Sequence, residues 1–118
     1  MGLSKTIWAS PSELIRTQTP ENPVLVFAPM ALQATARRFL EGFPGLVTYA
    51  VKSNPDEMVI QNLVAAGVNG FDVASPFEIA MIRRLASSGA LHYPNPVRSR
   101  AEIAFAVDED GRNAAQKQ

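Results

Sequence analysis

A chain of 118 residues, 47% of them apolar, is long enough to bury one core and is bounded to a single domain. Lys plus Arg and Asp plus Glu each total 11, so there is no net field to gather nucleic acid or an anionic membrane surface. The absence of cysteine excludes disulfides and thiolate zinc sites, and the single histidine, His92, excludes a histidine cluster, so no metal centre is expected.

Residues 1–23 carry Pro11, Pro20 and Pro23 around one apolar pair, Leu14-Ile15, and are expected to form an N-terminal docking arm with one helical turn. Lys5 is followed by no apolar segment, and the longest apolar stretch, Val24 to Leu32, is short and interrupted by Pro29. No export signal or membrane span is expected, and a chain without cysteine fits a reducing cytoplasm.

From residue 24 the pattern becomes regular. Val24-Leu25-Val26-Phe27 predicts a strand, and Leu32, Ala36, Phe39 and Leu40 predict a helix that ends at Gly42. Leu46 to Val51 predicts a second strand, and Asn54-Pro55-Asp56-Glu57 begins a helix lined by Met58, Leu63 and Val64 and closed by Gly67. Gly70 to Ala74 predicts a third strand. Ser75 is then an N-cap, with Pro76 at the first helical position, Glu78 as its capping-box partner, and a buried stripe of Ile79, Ile82, Leu85 and Ala86. A fourth strand, Ala90 to Tyr93, leads through Pro94-Asn95-Pro96 to a helix from about Ser99 to Val107, and residues 112–118 read as a polar tail. Strands alternating with helices at this spacing define an α/β fold with a parallel sheet, its strands buried on both faces. Periodicity alone leaves a barrel and a doubly wound sheet both open.

In such architectures the reactive side chains gather at the carboxyl ends of the strands. Lys52, Asp72 and Asn95 fall there. A lysine on the rim of an apolar strand is partly desolvated, which makes its neutral amine available to condense with a carbonyl, and Asp72 is the carboxylate that would orient it. The plainer alternatives are a solvated Lys52, an Asp72 bonded to a neighbouring backbone N–H, and a Glu78 that only caps its helix. Arg83-Arg84 reads as a solvated face, Arg98 with Arg100 as a helix-start pair, with an anion contact as the alternative for Arg98, and His92 as a packed, hydrogen-bonded histidine. No GxGxxG, P-loop, GxSxG or HExxH run is present, which removes the usual signatures of nicotinamide, nucleotide, serine-hydrolase and zinc-protease chemistry.

Tyr49-Ala50-Val51-Lys52-Ser53-Asn54 resembles the cofactor-lysine motif of the fold-type III pyridoxal-phosphate-dependent decarboxylases, the group of ornithine, diaminopimelate and arginine decarboxylases. Gly70-Phe71-Asp72-Val73-Ala74-Ser75, Glu78-Ile79 and Tyr93-Pro94-Asn95-Pro96 resemble three further blocks in the same order, so the resemblance covers roughly residues 22 to 110. The Phe-Asp-x-Ala-Ser run and the Asn-Pro pair look closer to the ornithine and lysine branch. The resemblance implies a (β/α)8 TIM barrel of the alanine-racemase-like type, a cytoplasmic homodimer, an amino-acid substrate and a place in polyamine biosynthesis. It also implies pyridoxal 5'-phosphate on Lys52 as a Schiff base, with Asp72 and Glu78 near the cofactor.

A complete barrel of this kind takes roughly 250 residues. Residues 24–111 are therefore expected to be a partial, catalytically inactive barrel domain from a truncated gene product, with an unpaired sheet edge. The alternatives are a regulatory module that pairs with an intact homologue and a small pyridoxal-phosphate-binding protein. The intact lysine motif favours the decarboxylase fragment, whereas the early stop favours the regulatory module.

Overall fold

The computed structural model describes residues 6–94 and 99–116. In chain order the elements are α1 (Pro11–Gln18), α2 (Pro29–Gly42), β1 (Tyr49–Ala50), α3 (Glu57–Ala66), β2 (Gly70–Asp72), α4 (Pro76–Leu85), β3 (Ala90–His92) and α5 (Arg100–Gln116). The strands form one parallel sheet in the order β1-β2-β3, with Tyr49 opposite Phe71 and Phe71 opposite Leu91. The α/β class and the parallel sheet expected from the sequence are both present.

Local chemistry sets the helix starts. Ser10-Pro11-Ser12-Glu13 and Ser75-Pro76-Phe77-Glu78 share one arrangement: the serine hydroxyl accepts the glutamate N–H, at 3.1 and 3.2 Å, and proline occupies the first turn, where no N–H is needed. Each glutamate also reaches back to the N–H of the residue before the cap, Ala9 at 2.8 Å and Ala74 at 2.5 Å. In α5 the exchange is reciprocal. Ser99 accepts the Glu102 N–H at 3.1 Å, and Glu102 accepts the Ser99 N–H at 2.6 Å. Helix α3 ends at Gly67, whose φ of 107° is open to glycine without strain and lets its N–H return to Leu63 and Val64.

The Ser99 N–H, then the Ser99 hydroxyl, and to a smaller extent Tyr93, hold the Glu102 carboxyl below the ordinary glutamate value. A group lowered in the folded state stabilises the fold above its unfolded value, and that contribution disappears as pH falls through the folded value. Glu102→Gln is therefore expected to flatten the acid limb of the stability profile, read as urea midpoints from pH 6 down to pH 3. An unchanged acid limb would remove Glu102 from the account.

One face of the sheet carries the core. Phe71, Val51 and Val73 are buried together with Ile60 and Leu63 of α3 and Ile79 and Ile82 of α4, and Tyr49, Leu91 and Tyr93 pack against this cluster. Because strand side chains alternate, Ala50, Asp72 and His92 fall on the opposite face. That face is not buried: Asp72 is partly exposed and His92 is exposed, which corrects the expectation of strands buried on both sides.

The strand expected at Val24–Phe27 is not formed. Pro23 has no N–H to give to a ladder, Leu25 is 98% exposed, and none of the described strands lies alongside. Val24 and Val26 instead line an apolar cleft of about 360 Å³ with Leu14 and Ile15 of α1. Of Leu46–Val51, only Tyr49–Ala50 pairs, and Val51–Ser53 coil into a turn of 3-10 helix. The expected single turn in the arm is an eight-residue helix, α1, and α5 continues past Val107 to Gln116. No described helix is long and apolar enough to cross a membrane.

Candidate functional site

The site is assembled at the carboxyl ends of the strands. Ala50 stands opposite Asp72, and Asp72 opposite His92, so the last residues of the three strands form one row across the sheet. Lys52 lies two residues beyond the end of β1, inside the 3-10 turn.

That turn is tightly pinned. Val51 is wholly buried and anchors it in the core, while the neighbouring Lys52 is exposed. The Ser53 hydroxyl donates to the Ala50 carbonyl at 2.7 Å, and the Tyr49 hydroxyl donates to the Asn54 carbonyl at 3.1 Å. Asn54 accepts the Asp56 N–H at 3.1 Å, and Asp56 caps α3 through the Met58 N–H at 2.8 Å. Most residues of the Tyr49-to-Asn54 run thus have a structural duty that fixes the backbone under Lys52. The partial desolvation expected of Lys52 is absent, because the chain leaves the sheet after two paired residues and turns the lysine out.

Asp72 is held from both sides, by the residue just before β1 and by the last residue of β3. The Thr48 hydroxyl donates to its Oδ2 at 3.3 Å, and His92 Nδ1 lies 3.5 Å from its Oδ1. Gly70 makes room for the first of these contacts. A Cβ there would stand 2.9 Å from Thr48 Cγ2 and 3.2 Å from the Val47 carbonyl oxygen. Relieving that clash by rotating Thr48 moves its hydroxyl away from Asp72. Gly70→Ala is expected to destabilise the chain by about 1–3 kcal/mol, in the range for overpacking, as measured by urea denaturation. A variant within about 0.5 kcal/mol of wild type would show that the strand yields freely there.

Glu78 sits in the first turn of α4, with its carboxylate engaged by the Ala74 N–H and its own N–H by Ser75. It steadies the loop that follows Asp72. Arg83, expected on a solvated face, donates to the carbonyls of Gly89 at 2.6 Å and Ser87 at 3.4 Å, tying down the turn before β3. Arg84 does lie on the surface and pairs with Glu57 of α3. The expected sites at Asn95 and Arg98 lie outside the described residues.

Two side chains that contact Asp72 were missed in the sequence. Thr48 gave no signal of its own. His92 was expected to be packed, yet its side chain is 51% exposed beside Asp72. The signal was present in the alternation of β3, where Leu91 and Tyr93 take the core side and leave Ala90 and His92 on the other.

The donor set suits a pyridoxal aldehyde: a primary amine open to solvent at one strand end, and a carboxylate with one-third of its side chain exposed at the next. Among the described residues no group of three His, Asp or Glu side chains is placed to hold a metal ion. No curated protein and no solved structure matches the chain. A family model described as pyridoxal-dependent decarboxylase, pyridoxal binding domain, matches residues 30–115. The match takes in all three described strands together with Lys52, Asp72 and Glu78, and the chain therefore belongs to the pyridoxal-dependent decarboxylases through their pyridoxal binding domain.

Proposed function

We propose that this chain binds pyridoxal 5'-phosphate through Lys52 and forms the cofactor-bearing face of an amino-acid decarboxylase of the ornithine or lysine type. The observation that carries this is the position of Lys52: an exposed amine on a pinned turn two residues past Ala50, which stands opposite Asp72, and inside the matched domain. Lys52 Nζ, in its neutral form, is the nucleophile that would hold the cofactor through its aldehyde carbon. Asp72, held by Thr48, is the acceptor that draws and orients the lysine ammonium before the proton leaves. Glu78 keeps the start of α4 in place beneath the same edge and lies near the cofactor. When bound, the cofactor supplies an electron-poor ring that takes up the electron pair left as carbon dioxide departs.

The Phe71-Asp72-Val73-Ala74-Ser75 run supports the ornithine or lysine branch, and with it polyamine biosynthesis in the cytoplasm. The three-stranded sheet with its exposed carboxylate face suits the opening units of a (β/α)8 TIM barrel that works as a homodimer.

The sequence holds three lysines, Lys5, Lys52 and Lys117, which makes the test clean. The chain is incubated with pyridoxal phosphate, reduced with borohydride, digested and mapped by mass spectrometry. A stable adduct confined to the Lys52 peptide is expected. Label spread evenly over the three lysines, or none at all, would sink the assignment.

A further inference from the structure

We infer that His92 is an additional base of this site, oriented by Asp72 and directed at the amine of an incoming amino acid, which rests on Lys52 carrying the cofactor. The register places His92 directly opposite Asp72 on the uncovered face of the sheet. Thr48 occupies one carboxylate oxygen of Asp72 at 3.3 Å, and the other lies 3.5 Å from His92 Nδ1. Catalytic contacts of this length in a ligand-free site tighten when the ligand arrives. A carboxylate at Nδ1 keeps the imidazole proton on that nitrogen and leaves the Nε2 lone pair as the acceptor. With 51% of its side chain exposed, His92 has room to present Nε2 to a ligand. A base held by an orienting carboxylate is the arrangement that general-base catalysis requires.

The chemistry follows directly. An amino acid reaches the site as an ammonium, which has no electron pair to attack with. His92 Nε2 takes one proton from it, leaving a neutral amine and an imidazolium whose charge is balanced by Asp72. With the cofactor held on Lys52, that amine would add to the carbon bonded to Lys52 Nζ; the carbon–Nζ bond would break, Lys52 would leave as the free amine carrying the hydrogens that the incoming nitrogen gives up, and the imidazolium would return its proton to solvent. Thr48, His92 and the space at Gly70 thereby gain a common purpose around one carboxylate.

His92 is the only histidine in the chain, so its imidazole nitrogens are identified by NMR without further assignment. In the cofactor-free chain the neutral ring is expected to hold its proton on Nδ1, and Asp72→Asn is expected to move it toward Nε2. The same tautomer in both proteins would overturn the pairing. The second measurement starts from chain fully labelled with pyridoxal phosphate and mixed with L-ornithine. Borohydride quenching and mass spectrometry then follow transfer of the label from Lys52 to the added amine. His92→Asn keeps a donor near the Nδ1 position and removes the basic nitrogen, so transfer is expected to slow about 100-fold. Equal rates would overturn the base role. If Lys52 takes no label, the cofactor assignment fails, while the NMR comparison still decides whether Asp72 orients His92.

Discussion

Lys52→Arg is expected to abolish the borohydride-stable adduct while leaving the free energy of unfolding within about 0.5 kcal/mol of wild type. Arginine keeps the positive charge and nearly the same reach, but its guanidinium stays protonated and has no electron pair to offer an aldehyde. Nothing in the turn depends on the lysine side chain. The buried Val51, the Ser53 to Ala50 bond and the Tyr49 to Asn54 bond hold its shape, and Lys52 itself is exposed. Loss of the adduct in this variant is therefore loss of a nucleophile. Peptide mapping and a urea titration of the same preparation check both halves. Label retained at the wild-type level would place the reactive amine at Lys5 or Lys117, and a drop in stability above about 1 kcal/mol would give Lys52 a structural role not seen here.

What the sequence disclosed divides by the range of the interactions involved. Helix α4 was legible to the residue, because Ser75, Pro76 and Glu78 act within one turn and their chemistry is written in consecutive letters. The same holds for Gly67, which closes α3. Strands were less legible, because a strand exists only with a partner. Val24–Phe27 has the β-branched, apolar composition of one, yet it lies against α1 with Leu25 in solvent. At the site, Lys52 and Asp72 were legible from the rule that reactive groups collect at strand ends, and from a motif. Thr48 and His92 were not, because their value lies in contacts across the sheet, where Thr48, just before β1, and His92, opposite Asp72 in β3, converge on one carboxylate. Arg83 was misread for a related reason: the carbonyls it serves belong to a turn whose shape no local pattern announces.

Phe71→Ala should cost about 3–5 kcal/mol, which is a large share of the roughly 5–15 kcal/mol that holds a domain of this size together. Phe71 is fully buried at the centre of β2, the middle strand, where it meets its register partners Tyr49 and Leu91. Its ring also lies 3.4 Å from where a Cβ on Gly89 would stand, so the turn before β3 closes directly onto it. Truncation leaves a void flanked by three strands, and short strands of two and three residues have little freedom to collapse into it. Phe77→Ala is the matched control: the same side chain, six positions on from Phe71, is 75% exposed on α4 and should change stability by no more than about 0.5 kcal/mol. Urea denaturation of the two variants measures the contrast, and a Phe71 loss below about 1 kcal/mol would refute a core centred on β2. The effect reaches function through the backbone. Asp72 follows Phe71 on the same strand, so a loosened β2 releases the carboxylate from Thr48, and cofactor capture at Lys52 should fall with it even at urea concentrations where most of the chain is still folded.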